Sequence, residues 1–95
     1  MMFASCKRKQ LLIGKWQMVG NGPIISFIND SLCFIEHSNT THLPKIERCE
    51  YRFKVDTLFE ETPSHGSRKW LILKLTEDSL VIKWDRVTAR YYRLY

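Results

Sequence analysis

The sequence predicts an all-β fold, an antiparallel up-and-down meander of about eight short strands that closes into a small barrel. Apolar and polar residues alternate with period two in several short segments, and no segment keeps a helical period over ten residues. Turn-forming residues separate these segments. A meander of short strands is expected to close, because an open sheet would leave two exposed edges. With 95 residues, 44% of them hydrophobic, the chain can form one domain around one core.

The predicted strands follow one another from residue 11 onward. In the clearest of them, Glu47–Lys54, the residues Cys49, Tyr51 and Phe53 share one face, and charged residues share the other. The predicted strands are 11–19, 24–28, 32–37, 47–54, 57–61, 69–75, 80–84 and 88–94. We therefore divide the chain into residues 1–10, a signal remnant or basic tether, and residues 11–95, a barrel domain.

Three turns share one pattern, an acid followed by a hydroxyl residue and a leucine. They are Asp30-Ser31-Leu32, Asp56-Thr57-Leu58 and Asp78-Ser79-Leu80. An aspartate carboxylate can accept hydrogen bonds from backbone amides two residues on, and the leucine then begins the next strand. Each turn joins neighbouring segments, which predicts hairpins in series rather than crossover connections.

A tryptophan motif lies on the first predicted strand, Gly14-Lys15-Trp16, and the last strand carries Arg90 and Arg93 among aromatic residues. This arrangement resembles the small lipocalin-like domains of bacterial lipoproteins. The resemblance covers residues 11–95. It implies that Gly14 permits a close approach, that Trp16 plugs one end of the barrel, and that Arg90 or Arg93 lies across the indole in a cation–π contact.

The residues expected to face inward are bulky, and the chain is far shorter than a full lipocalin, whose barrel holds a ligand. The inward set is Trp16, Phe27, Tyr51, Phe53, Trp70, Ile72, Ile82, Trp84 and Tyr91. Their size favours a packed interior over a ligand cavity. The expected partner is a small apolar ligand or another protein, and no cofactor is expected.

The first residues, Phe3-Ala4-Ser5-Cys6, resemble a lipobox, in which the cysteine receives lipid. An export signal also needs a basic start and an apolar stretch of roughly seven to fifteen residues. If the true start lies upstream of Met1, we expect a periplasm-facing lipoprotein of the bacterial envelope, held at the membrane only by lipid on Cys6. Otherwise Cys6 is incidental and the protein is cytoplasmic.

Cys33 and Cys49 lie at equal distances from residue 41, inside the predicted loop 38–45. A hairpin symmetric about that loop brings the two cysteines close together on adjacent strands, provided that Cys33 shares the core face with Ile35. In an exported protein such a pair can form a disulfide. In the cytosol the two residues would stay small buried thiols.

The sequence carries no catalytic constellation, so we expect no enzymatic activity. The three histidines, His37, His42 and His65, lie in or beside long loops, and their spacing fits no zinc pattern. Glu60 and Glu61 are neighbours on a strand, so their carboxylates point to opposite faces and cannot act as a pair.

Two functions are weighed. The first is a non-enzymatic lipocalin-like binding or accessory module, tethered to the membrane as a lipoprotein. The alternative is a small cytosolic basic β-barrel that binds nucleic acid, suggested by a net charge of +5 and 13% aromatic residues. In the strand Glu47–Lys54 the aromatics lie opposite the charges, and acids interrupt the basic face. Nucleic-acid binding is therefore the less favoured hypothesis.

Overall fold

The computed structural model describes residues 9–20, 22–37, 45–63 and 66–94. Eight antiparallel strands follow one another as a meander, and the first pairs with the last to close a barrel, which confirms the predicted fold class. The strands are β1 (Gly14–Met18), β2 (Ile24–Phe27), β3 (Leu32–His37), β4 (Lys45–Lys54), β5 (Thr57–Thr62), β6 (Gly66–Leu75), β7 (Ser79–Trp84) and β8 (Val87–Leu94). No helix in these ranges is long and apolar enough to cross a membrane.

The core lies inside the barrel, because alternate residues of each strand point inward. In β4, for example, every second residue from Glu47 to Phe53 is buried, and the residues between them are exposed. The prediction that Trp84 faces inward is wrong, because this residue is 42% exposed. It is the last residue of β7, where the strand ends, so its ring lies at the rim of the barrel rather than inside it.

The chain enters the barrel through a helical turn at residues 9–12, where we had predicted the start of the first strand. This turn places Leu12 in the core with no exposed surface. It also aims the Leu12 carbonyl at the Trp16 indole, whose Nε1 donates a hydrogen bond to that oxygen at 2.9 Å. A buried indole N–H needs such an acceptor. The four described helical residues are too few to produce a helical period in the sequence.

The three acid-hydroxyl-leucine turns connect β2 to β3, β4 to β5 and β6 to β7, and all three lie at the same end of the barrel. Their hydrogen bonds differ in part from the prediction. In the first turn Asn29 Oδ1 accepts from the Ser31 and Leu32 amides at 2.9 and 3.0 Å. In the third, Thr76 Oγ1 accepts from the amides of residues 78 and 79. In these two turns the cap is therefore an uncharged polar residue that precedes the aspartate, Asn29 directly and Thr76 by two positions.

Candidate functional site

One end of the barrel, which we call the closed end, is filled by Leu12, Trp16 and Arg93. Trp16 has no exposed surface, and the Arg93 guanidinium carbon lies 4.2 Å from the centre of its ring. The two residues are register partners in the β1–β8 pair that closes the barrel. Of the two arginines considered for this contact, Arg93 is on the same strand face as the buried Ala89 and Tyr91, whereas Arg90 is exposed on the other face.

Arg93 also binds backbone at the closed end. Its Nη1 donates to the Ile13 carbonyl at 3.0 Å, and its other nitrogens donate to the carbonyls of Leu11 and Glu77. Gly14 makes room for this side chain. Its φ is +136°, a conformation that favours glycine, and a Cβ built there would collide with Arg93 Nη1. The arginine therefore ties the entry of the chain to the β6–β7 turn.

The two cysteines Cys33 and Cys49 are directly opposite each other in the β3–β4 pair. They are joined as a disulfide with their Cα atoms 5.3 Å apart, and each is 1% exposed. Cys33 shares the core face with Ile35, while Phe34 points to the outer face and is half-buried. The bridge lies near the start of β3, in the half of the barrel that belongs to the closed end.

The opposite end, where β5 and β7 finish and β6 begins, contains a cavity of about 200 Å³ and is called the cavity end. The described residues that line it are Met18, Pro23, Ile25, Ile35, His37, Leu58, Glu60, Arg68, Trp70, Ile82 and Tyr91. We had expected a packed interior. The difference arises because the Phe27 and Tyr51 rings, 4.9 Å apart, pack in the closed half, and Trp84 lies at the rim.

A buried ion pair lies in the wall of this cavity. Glu60 is 6% exposed, and its Oε1 lies 2.7 Å from Arg68 Nη2 in an ion pair. The same oxygen accepts hydrogen bonds from Arg68 Nε at 3.0 Å and from Trp70 Nε1 at 3.3 Å. The Arg68 guanidinium also stacks on two rings, 5.3 Å from the centre of Trp70 and 5.9 Å from that of Trp84. Burying a charge is tolerated when it is paired and hydrogen-bonded, and this pair meets both conditions.

Tyr91 brings a phenol to the same cavity and is 5% exposed. Burial raises its pKa, and the nearby Glu60 charge raises it further, while Arg68 partly offsets these effects. Both leading causes disfavour the phenolate, so the hydroxyl keeps its proton. The cavity wall therefore presents one neutral hydroxyl beside one internally neutralised ion pair.

A second acid is buried at the cavity end. Glu47 is 7% exposed, and its Oε1 lies 3.3 Å from His37 Nε2. Within the ranges that the structure describes, no group of three His, Cys, Asp or Glu residues is placed to hold a metal ion. His42 and His65 lie outside those ranges, as does Cys6, the residue expected to carry lipid.

Sequence reasoning found some of the cavity residues but not their association. Trp70 and Tyr91 were expected inward, and Glu60 was expected on the face opposite Glu61, which is exposed. Arg68 was missed because it precedes the predicted strand 69–75. Its position two residues before Trp70 is the signal that places both on one face. Comparison of the chain with protein-family models, with curated proteins and with solved structures gives no match.

Proposed function

We propose that the protein is a non-enzymatic, lipocalin-like binding module that takes one small, mainly apolar ligand into the cavity end of the barrel. The observation that carries this proposal is the cavity itself, which lies opposite an end closed by Trp16 and Arg93. Ligand sites are typically concave and largely apolar, with a few converging polar groups. The cavity wall combines aliphatic and aromatic side chains with the Glu60–Arg68 pair and Tyr91, which fits that description.

The size of the cavity limits the ligand to about one ring. An engineered apolar cavity of about 150 Å³ binds benzene, and the volume here is about 200 Å³. The polar groups support binding rather than catalysis, because Arg68 and Trp70 already hydrogen bond to the Glu60 carboxylate.

Benzene is the first probe. Titrated into the isotopically labelled protein, it should shift the amide resonances of cavity residues such as Ile82 and Tyr91, and leave those near Trp16 in place. Replacing Ile82 with Phe puts a ring into the cavity and should abolish the shifts. The matched control is Leu71→Phe, which adds the same ring on the barrel's outer face, where Leu71 is 47% exposed.

Two results would overturn the binding proposal. One is the absence of any ligand-dependent shift in the wild-type protein with benzene and with other ring-sized probes, each tested near its solubility limit. The other is equal binding by wild type and Ile82→Phe, because a ligand that is indifferent to the filling of the cavity does not occupy it.

We further propose that the module is a lipoprotein of the bacterial envelope, attached through Cys6. The support is the lipobox-like sequence before the basic residues, together with the Cys33–Cys49 disulfide, since disulfides persist in exported proteins and are rare in the cytosol. An in-frame basic and apolar stretch upstream of Met1 in the genome is expected. Mass spectrometry of the protein from its native envelope should find acyl chains on Cys6, and a Cys6→Ala variant should lack them. An unmodified Cys6 in the native protein would overturn this proposal.

The nucleic-acid alternative has less support. On the outer face of β4 the basic residues Arg48 and Arg52 flank Glu50, whose register partner on β5 is Glu61, so two acids interrupt the positive surface. Affinity for DNA should be weak and should fall steeply with salt, as expected for scattered cations. Sub-micromolar binding at physiological salt would favour the alternative over the cavity proposal.

A further inference from the structure

The two oxygens of the Glu60 carboxylate differ in their contacts. The three nitrogens that contact it, two from Arg68 and one from Trp70, all lie against Oε1. No described residue hydrogen bonds to Oε2. Among the described residues, no fully enclosed side-chain nitrogen or oxygen lacks a partner, so an unpaired oxygen must border open space. Glu60 lines the cavity, and the cavity supplies that space.

The Tyr91 hydroxyl is in a similar position. Tyr91 is buried and lines the same cavity, and none of the described side chains or carbonyls hydrogen bonds to its phenol oxygen. It is near enough to Glu60 for that charge to act on it. The cavity therefore contains a free acceptor, Glu60 Oε2, and a free donor, the Tyr91 O–H. Both side chains are more than nine-tenths buried. A buried polar group without a hydrogen-bond partner costs free energy, and a ligand that supplies the partner removes this cost.

The charge of the site restricts that partner. Glu60 and Arg68 neutralise each other, so a charged ligand would bring an uncompensated charge into the barrel interior, at a high desolvation cost. An uncharged ligand avoids this cost. A hydroxyl group is the simplest neutral group that both donates and accepts a hydrogen bond, and so can satisfy Glu60 and Tyr91 together.

We propose that the cavity selects an uncharged, ring-sized molecule that carries a hydroxyl group, of the class of small phenols and cyclic alcohols. The ring packs among Ile35, Leu58 and Ile82, and the hydroxyl donates to Glu60 Oε2 and accepts from Tyr91. This inference rests on the proposed function and adds the chemical class of the ligand.

The test compares four probes of similar size: benzene, phenol, benzoate and benzylammonium. Dissociation constants are measured from amide shifts at neutral pH and constant salt. Phenol is expected to bind about tenfold more tightly than benzene, the factor for one well-placed buried hydrogen bond. Each charged probe should bind at least about tenfold more weakly than phenol, because its charge has no partner in the neutral site.

Variants then assign the selectivity to its residues. Tyr91→Phe removes the donor and should weaken phenol binding several-fold more than benzene binding, so that the preference for phenol shrinks. Tyr92→Phe is the matched control, since Tyr92 is the next residue and is 48% exposed on the outer face, and it should bind both probes as wild type does. Glu60→Gln leaves Arg68 without its anion and should increase the affinity for benzoate.

The outcomes separate the two proposals. If benzene binds as tightly as phenol, if a charged probe binds best, or if Tyr91→Phe keeps the full preference for phenol, the inference fails and the cavity proposal stands. If none of the four probes binds, the cavity proposal itself fails, and the inference fails with it.

Discussion

The two ends of this barrel use the same pair of side chains, a tryptophan and an arginine stacked on it, with different results. At the closed end Trp16 has no exposed surface, and Arg93 donates to backbone carbonyls of the entering chain and of the β6–β7 turn. At the cavity end Trp84 is 42% exposed, and Arg68 pairs with the Glu60 carboxylate inside the barrel.

The choice of acceptor explains the difference. Backbone carbonyls are fixed by the fold, so an arginine bound to several of them holds those segments together and fills the opening. A carboxylate on an inward-facing side chain keeps the arginine against the wall and leaves the axis of the barrel free. The same cation–π contact can therefore seal a barrel or border a cavity, depending on where its hydrogen-bond acceptors lie.

The largest expected effect separates the two tryptophans. Trp16→Ala should lower the free energy of unfolding by about 3–5 kcal/mol, because it removes a fully buried ring and leaves a cavity. Trp84→Ala should cost about 1 kcal/mol or less, because much of that ring is already in water. Denaturant titration measures both. A loss below about 1 kcal/mol for Trp16→Ala would contradict the role assigned to the closed end.

The disulfide should contribute next, and it acts on the closed half. Cys33 and Cys49 are 16 residues apart, and closing a loop of that size stabilises a protein by roughly 3 kcal/mol in the chain-entropy description. Reduction should lower the free energy of unfolding by about that amount in wild type, and leave a Cys33→Ala, Cys49→Ala double variant unchanged. Thiol counting on unreduced, denatured protein gives a direct check, since two reactive thiols besides Cys6 would show that the bridge is absent.

The two arginines of β8 give a smaller, matched comparison. Arg93→Met keeps the apolar stem but leaves the carbonyls of Leu11, Ile13 and Glu77 without this donor, and should cost about 2–3 kcal/mol. Arg90→Met alters an exposed side chain and should change stability by no more than about 0.5 kcal/mol. Equal effects in thermal or denaturant unfolding would mean that Arg93 does not hold the closed end together.

The sequence predicted the barrel more fully than the cavity, for physical reasons. Strand positions and inward faces follow from alternation, which is local, and the hairpin symmetry about residue 41 placed Cys33 opposite Cys49 because antiparallel pairing counts residues evenly on both sides. The Glu60–Arg68 pair depends on the register of β5 against β6, which the turn between them sets. The cavity depends on how much of the barrel interior each inward aromatic side chain fills. Alternation shows which face a residue is on, but not where its ring packs inside the barrel.

The smallest expected effect is a pH dependence that involves one tyrosine from each end. At the closed end Tyr51 donates to the Asn29 carbonyl, and burial, followed by the charge of Asp30, raises its pKa from 10.0 to about 12. At the cavity end burial, followed by the Glu60 charge, raises the pKa of Tyr91 as well. In both cases the folded protein favours the protonated phenol more than the unfolded chain does.

The sign of the effect follows from linkage. A raised pKa in the folded state contributes stability that is fully present below pH 10, where both states keep the proton, and is lost as the pH rises through the folded value near 12. The free energy of unfolding should therefore decline more steeply above pH 10 in wild type than in Tyr51→Phe or Tyr91→Phe, with Tyr92→Phe as a control.

Phenolate absorbance of the folded protein provides the second measurement. Each of the two variants lacks one buried phenol, so the absorbance change that wild type shows at the highest pH values should be smaller in that variant. If Glu60→Gln lowers the titration midpoint of Tyr91 but not that of Tyr51, the two ends are electrostatically separate. An equal shift of both would contradict the division of the barrel into two independent ends.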